Sequence, residues 1–333
     1  MLEVKISHMH RLTMSTYRKP TPFVLNDASL QAAAQPWLDL EIHQLSAGCY
    51  QGECATLSLD GMHLVHERQN QIVHKSGITQ GNLCALSIAK TVAPGMRFSQ
   101  FLNPMDSWLY FLPRGVDLDI RVMPESETFY LCLDQDKLLE EARMLAQSDG
   151  KLGLEVPQAF SSRHTARLTA DLNALIHRHN PASLMLSDNC ARLLRDSVVI
   201  ALSQATAIDT GVCRSVRAGW RAQRLVSTAR DYMDACLQVG HVPSITDICA
   251  TTDVSERTLQ YAFRSTMKLT PIAYLRTLRL NRVRAELLIA LPAHTTVTRV
   301  AMRWGFVHLG EFSQEYKRLF GQRPSETLAQ RPD

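Results

Sequence analysis

Two helix-turn-helix patterns about fifty residues apart near the C-terminal end constrain this chain more than anything else in it. The first runs from Ile248 to Phe263 and the second from Val300 to Tyr316. In each, a short apolar helix leads into a tight turn and then a second helix. Leu259, Ala262 and Phe263 form the inner stripe of the first of these second helices, and Phe312, Tyr316, Leu319 and Phe320 that of the other. Apolar residues three and four apart put one face of a helix on a core. The geometry suits laying the opposite face into a DNA major groove. Any helical hairpin imitates one such pattern, but two with a long helix between them are harder to reach by chance.

Local signals mark the helices around the two patterns. A helix is expected over about Arg221–Leu237. Ser244 caps a short helix to about Ala250, Ser255 caps one over about Glu256–Ser265, and Thr270 caps a long one with Pro271 at its first position. That long helix runs to about Ala290. At 1.5 Å per residue, twenty residues span roughly 30 Å, close to the roughly 34 Å of one B-DNA turn. A rigid helix of this length can therefore set two recognition helices in successive major grooves. The last pieces are about Thr296–Arg303, Leu309–Phe320 ended by Gly321, and a turn after Pro324. Asp253 stands in the first turn, where a residue that tolerates left-handed backbone is needed.

The net charge of +4 becomes informative once it is split. From Arg221 to Asp333 there are 16 Lys+Arg and 10 Asp+Glu, and the remainder holds 20 and 22. The basic excess therefore sits where the two patterns are, as a phosphate-facing domain requires. In the first recognition helix, Arg257, Gln260 and Tyr261 are the candidates for base edges, with Arg264 beside them. Arg pairs with guanine, Gln with adenine, and Tyr packs on a thymine methyl or reaches phosphate. In the second, Leu309, Gly310, Glu311 and Gln314 face outward near its start, and Gln314 is the best candidate for direct readout. His308, Lys317 and Arg318 hold phosphate, which positions without specifying. Glu311 repels phosphate unless it accepts from a cytosine amine. Of Arg276, Arg279, Arg282 and Arg284 on the connecting helix, only part can meet DNA, because they wrap several faces. Trp304 and Phe306 are expected to pack.

The N-terminal part reads differently. Residues 1–19 look like a loose tail. From about Leu38 to Leu133 short apolar runs alternate with Gly and Pro. Glu53–Leu59 and Met62–Arg68 flank an Asp60-Gly61 hairpin signal, with further runs at Leu83–Ile88, Ser107–Leu112, Asp117–Val122 and Phe129–Leu133. This suggests a sandwich or barrel-like half. Helical periodicity comes next in about Gln135–Gln147, Ala159–His177 and Leu186–Thr206, and Ala207–Gly219 obeys neither period. The fold class is α+β with two domains: a β-rich sensor and dimerisation domain over 20–206, a linker over 207–220, and an all-α domain with both motifs over 221–330. Trp108, Tyr110, Phe111 and Phe129 read as strand core before they read as a pocket.

Other classes find little support. No apolar run reaches the eighteen residues of a membrane span, and the N-terminus lacks a signal-peptide core. Eight scattered Cys without a CxxC read as reduced thiols in a cytoplasmic protein. His63 and His66, three apart on a strand, point to opposite faces and cannot share a metal. His8-x-His10 lies in the tail. No nucleophile elbow, phosphate loop or zincin motif occurs, so no catalytic residue, metal site or cofactor is expected.

The stretch from about Arg221 to Leu328 resembles the DNA-binding domain of the AraC/XylS family of transcription regulators. Its most specific piece runs from Gly305-Phe306 through Phe312 to Phe320-Gly321 and Pro324. The wording Phe306-x-His308-Leu309-Gly310 and Pro324-Ser325-Glu326-Thr327-Leu328 is similar to the subgroup containing the ethanolamine-utilisation regulator. Cys249 and Asp253 depart from the usual alanine and glycine. The resemblance implies a homodimeric regulator, an activator of neighbouring catabolic or stress genes, that binds double-stranded DNA, meets RNA polymerase and responds to a small-molecule effector. Two other readings stay open: a β-rich enzyme fused to a DNA-binding domain, and an effector-independent DNA-binding protein.

Overall fold

The computed structural model describes residues 23–59, 61–91, 93–102, 108–146, 155–177, 187–203, 206–207 and 214–330. The expected tail and His8-x-His10 lie outside them.

Two antiparallel sheets form the N-terminal part. One has eight strands in the order β1-β3-β4-β11-β6-β9-β12-β13 and the other five, in the order β2-β5-β10-β7-β8. The strands are β1 (Phe23–Leu25), β2 (Leu38–Gln44), β3 (Gly52–Leu59), β4 (Met62–Gln69), β5 (Val73–Thr79), β6 (Leu83–Thr91), β7 (Arg97–Phe98), β8 (Phe101–Leu102), β9 (Trp108–Leu112), β10 (Asp117–Val122), β11 (Glu127–Asp134), β12 (Gln158–Ser161) and β13 (Thr206–Ala207). The β3–β4 hairpin pairs Leu59 with Met62, and Gly61 takes the left-handed conformation its turn demands. Helix α1 (Ala28–Ala33) lies against β2, and α2 (Gln135–Ala146), α3 (Thr165–His177) and α4 (Ser187–Ser203) complete the N-terminal part. The helix expected from Ala159 begins only at Thr165. Ala159–Ser161 pairs instead with Trp108–Tyr110 as an added strand, so the helical period belongs to Thr165–His177 alone.

Alternation divides the larger sheet between two cores. Phe111, Phe129, Leu64 and Leu86 face α2, α3 and α4, whereas Tyr110, Val65, Cys54 and Cys132 face the smaller sheet. The four aromatics Trp108, Tyr110, Phe111 and Phe129 therefore serve as core on opposite faces. His63 stacks on Trp37 at 4.5 Å, while His66 stacks on Phe129 and bonds Glu127 at 2.8 Å. These two imidazoles point away from each other, as their spacing predicts.

A charge pair is buried between the sheets. Lys75 of β5 donates to Glu67 of β4, and both side chains are almost fully buried. Gln31 and Gln35, from and just after α1, donate to the other Glu67 oxygen at 2.8 and 3.1 Å. Tyr50 and Tyr130 in turn donate to the carbonyl oxygens of those amides. Burial pushes the Glu67 carboxyl up, but the Lys75 charge and these hydrogen bonds outweigh it and hold the carboxyl below its ordinary value. The same burial pushes the thiols of Cys54 and Cys84 up to about 12, which keeps them protonated.

Helices alone form the C-terminal part: α5 (Arg214–Gln238), α6 (Ile245–Thr252), α7 (Glu256–Thr266), α8 (Pro271–Ile289), α9 (Val297–Arg303), α10 (Leu309–Phe320) and α11 (Pro324–Ala329). The expected linker over 207–220 is shorter in backbone terms, because Ala207 closes β13 and α5 already begins at Arg214. Helix α8 belongs to two cores. Tyr274, Leu275 and Leu278 join α5, α6 and α7, while Leu280, Val283 and Leu287 join α9 and α10. Apolar residues on several faces are what a helix buried on several sides requires.

The outer face of the smaller sheet is covered by these helices. This explains why β10, whose polar and apolar residues alternate, is buried at Asp119 and Arg121 as well as at its apolar positions. Asn281 of α8 brackets the edge of β2, accepting from the Gln44 N–H at 2.9 Å and donating to its carbonyl at 3.0 Å. Arg282 grips both Glu41 oxygens at 2.7 and 2.9 Å and Asp234 at 2.8 Å. Arg284 pairs with Asp27, the N-cap of α1, and lies over the Phe320 ring at 4.7 Å. The Gly48 N–H and Gln44 side-chain amide both donate to the Leu319 carbonyl, at 3.0 and 2.7 Å.

Candidate nucleic-acid interface

Each helix-turn-helix unit turns on one left-handed residue. In the first, Asp253 adopts φ 52° and ψ 46° and its N–H closes α6 on the Cys249 carbonyl. Short polar Asp is among the side chains that accept this conformation. Ser255 then caps α7, accepting from the Thr258 N–H at 3.3 Å. In the second, Gly305 adopts φ +77°. A Cβ there would stand 2.5 Å from the Val242 side chain and 3.1 Å from Arg279 Nη2, so only glycine fits. Leu259, Phe263 and Thr266 of α7 and Phe312, Tyr316 and Leu319 of α10 are the buried stripes of the two recognition helices. Their numbers differ by 53 throughout, whereas the left-handed residues differ by 52. The second turn is thus one residue longer.

This offset defines equivalent outward positions. Arg257, Tyr261 and Arg264 stand four and seven residues along one exposed face of α7. Their counterparts on α10 are Gly310, Gln314 and Lys317, also exposed. Tyr261 is 70% exposed. Gln260 lies at the edge of this face, half-buried, with its amide donating to Glu256 at 2.8 Å. His308 and Arg318 are exposed. Leu309 is a correction: expected to face outward, it is half-buried and packs on the core of the second unit. As the first residue of α10 it leans back over the turn that precedes the helix.

The arginines of α8 are engaged within the protein. Arg276 pairs with Glu315 and stands 3.7 Å from Glu311, giving the acidic start of α10 a countercharge. Arg279 donates to the Trp304 carbonyl at 2.7 Å and lies over the Phe306 ring at 4.2 Å. Arg282 and Arg284 are spent on the N-terminal part, at Glu41 and Asp27. Trp304 is half-buried and donates to Glu286 at 2.7 Å, and Phe306 is buried. Alongside α10, Ser313, Gln314, Lys317, Arg323, Pro324, Ser325 and Val297 line a surface groove of about 340 Å³. Arg323, which lines this groove, was not singled out in the sequence. Its signal was available, since it directly precedes the Pro324 that starts α11 beside Lys317.

Two helix-turn-helix units on one rigid helix, each turning a polar or basic face to solvent, define a DNA-binding domain of the double helix-turn-helix class. A helix-turn-helix domain family matches residues 248–330. Over 104 residues the chain is 39% identical to the probable thc operon regulatory protein of Rhodococcus erythropolis, covering 31% of each. It is 38% identical over 76 residues to the XylDLEGF operon transcriptional activator 2 of Pseudomonas putida, covering 23% of this chain and 48% of that protein. The matched stretches thus span less than half the length of these relatives. The crystal structure of the AraC-like transcriptional activator CuxR aligns over 80% of this chain and 96% of its own at 16% identity and a TM-score of 0.41. The C-terminal domain is a helix-turn-helix domain of the AraC/XylS type.

Proposed function

We propose that the protein is a sequence-specific DNA-binding transcription regulator, with residues 221–330 as its DNA-binding domain and residues 20–206 as a domain for sensing and dimerisation. The observation that carries this reading is the repeated outward face, Arg257-Tyr261-Arg264 and Gly310-Gln314-Lys317, mounted at the two ends of α8. Nineteen residues of helix span about 28 Å, near the roughly 34 Å between successive major grooves. The first helix carries more chemistry for base edges. At the place of Arg257 the second has Gly310, around whose Cβ direction there is open space. On this reading α7 specifies, while α10 anchors through His308, Gln314, Lys317 and Arg318, with Arg323 across the groove. The domain works as an activator that meets RNA polymerase once both units are seated.

The test is fluorescence anisotropy of the full chain against the DNA upstream of its neighbouring operon, with scrambled DNA as control. A preference of about a thousandfold or more marks a specific regulator. Equal binding to both DNAs argues for an effector-independent, nonspecific binder, and no binding at low salt overturns the reading. Arg257→Ala is expected to cost about 1–3 kcal/mol on the preferred DNA and to relax the sequence preference. Lys317→Ala should instead weaken binding to all sequences alike and lower the salt slope by about one.

A homodimer fits the exposed Leu193 and Ile200, seven apart on α4, together with exposed Met144 and Leu145 on α2. Positions seven apart fall on one helix stripe, the arrangement that packs against a second copy. Sedimentation of the full chain at micromolar concentration should give twice the 37.4 kDa mass; a monomer would remove dimerisation from the proposal. The effector is a small molecule taken up by the β-rich domain.

A further inference from the structure

The outer face of the smaller sheet carries an unusual row. His43 of β2 pairs across to His74 of β5, His74 to Arg121 of β10, and Arg121 to Arg97 of β7. Directly paired residues share a face. All four side chains are buried, His74 completely and His43 to 6% exposure; Arg97 meets Met267 and His74 meets Tyr274 of the C-terminal helices, whereas Arg121 donates to the Gly95 carbonyl. Two guanidiniums and two imidazoles therefore stand side by side where water does not reach.

The groups facing this row set its charge. Asp119 of β10 takes Arg97 at 2.5 Å and His74 Nε2 at 2.9 Å. From α8, the Tyr274 hydroxyl bonds His74 Nδ1 at 3.1 Å, and Arg282 lies near His43. From α5, Arg230 approaches Asp119 and both imidazoles. Glu41 and Asp234 are taken up by Arg282. With both imidazoles neutral, the four guanidiniums of Arg97, Arg121, Arg230 and Arg282 meet four carboxylates, Asp119, Asp234, Glu41 and Asp231, the last paired with Arg230 at 3.0 Å, so an added imidazolium has no carboxylate left to balance it. His74 is satisfied as the neutral tautomer, donating from Nε2 to Asp119 and accepting the Tyr274 proton at Nδ1. A second proton would orphan the Tyr274 hydrogen. His43 is worse placed to charge, because its nearest carboxylate, Glu41, is 3.8 Å away and gripped by Arg282. Several polar atoms of this region have no protein partner: His43 Nδ1, Arg97 Nε, Arg121 Nε, Arg230 Nη1 and Asp119 Oδ2. A polar contact left this incomplete opens to water more readily than an apolar one.

We propose that this contact is a proton-gated clasp: protonation of His43, and with it His74, releases the DNA-binding domain from the smaller sheet. Docked, both imidazoles lie below their ordinary range, through burial first and the neighbouring guanidiniums after it; for His74, Asp119 opposes this without reversing it. Undocked, they face water and titrate near the ordinary value of about 6.5. The undocked state therefore binds more protons. Docking is at full strength above that value and weakens as pH falls through it, by up to about tenfold per pH unit for each imidazole. Asp234 is held above the ordinary carboxylate value by burial. It acts in the opposite sense, but at lower pH, in the carboxylate range. The clasp holds α8 through Asn281, Arg282 and Arg284 and the end of α10 through Leu319. Its release frees the frame that carries both recognition faces.

The test reads shape and protonation together on the full chain without DNA, so its outcome is separate from that of the DNA-binding assay. Small-angle scattering is measured from about pH 8 to about pH 5, where histidine titrates. A compact chain of this length starts near a radius of gyration of roughly 20 Å. The expected result is a rise in that radius, in the same step in which the His43 and His74 signals move in histidine-labelled NMR spectra. The variant His43→Gln with His74→Gln should stay compact throughout. Imidazoles that protonate while the radius stays constant would overturn the proposal. So would a wild-type chain that stays compact and unprotonated to pH 5, or a double variant that expands as the wild type does. If the double variant fails to fold, the wild-type pair of measurements still decides.

Discussion

Lys75→Met is expected to destabilise the N-terminal domain by about 3–5 kcal/mol, because it leaves Glu67 charged, buried and without its cation. The methionine fills a similar volume, so little of the loss is packing. Gln31, Gln35 and Thr128 would still donate to Glu67, but neutral donors do not replace an ammonium. Urea denaturation monitored by circular dichroism measures the effect. A second substitution, Glu67→Gln, should recover a large part of it, since the remaining network is then neutral; cores that exchange a buried ion pair for uncharged groups lose little. A single Lys75→Met variant as stable as the wild type would show that the pair contributes nothing net. The pH dependence has a definite sign. Glu67 is held below its ordinary value in the folded state, so its contribution is present above the unfolded carboxylate range and is lost as pH falls through the folded value.

The second large effect belongs to Gly305. Gly305→Ala must hold an L side chain at φ +77° with its Cβ 2.5 Å from Val242. The left-handed backbone alone costs about 1–2 kcal/mol. The contact adds to this by pushing on Val242 and on Arg279, which lies over Phe306 and holds the Trp304 carbonyl. The second unit is expected to lose at least about 2 kcal/mol and α10 to shift on its frame, weakening DNA binding about tenfold or more in the anisotropy assay. Asp253→Gly, at the matching turn of the first unit, should be neutral to within about 1 kcal/mol, as relieved backbone strain offsets the greater freedom of the unfolded chain. Opposite results at the two turns would contradict their common geometry.

The C-terminal helices were legible because their signals are local. Ser244, Ser255 and Thr270 cap within three residues of themselves, and Leu259, Phe263, Phe312 and Tyr316 repeat at helical spacing. The hairpins of β3–β4 and the run of β10 were legible for the same reason. Contacts across the chain were not. No local pattern announces that Asn281 brackets Gln44, or that Arg284 reaches Asp27. Nor does the alternation of β10 announce that Asp119 and Arg121 are buried. Leu309 failed on a finer point: it stands at a helix start, where one residue more in the turn decides between groove and core. Ala159–Ser161 was absorbed into a helical period because a short added strand has no repeat long enough to declare itself.

Helix α8 has little surface left to vary. One stretch of it closes the first core, another closes the second, and Asn281, Arg282 and Arg284 hold the sheet. A substitution there disturbs several partners at once. Arg257, Tyr261, Arg264, Gln314 and Lys317 sit on exposed faces beyond that frame. If these faces meet DNA as proposed, the molecule separates scaffold from address. Mutation can rewrite the address while the frame stays whole, so descendants of this chain can acquire new operators by few steps, each tolerated by the fold.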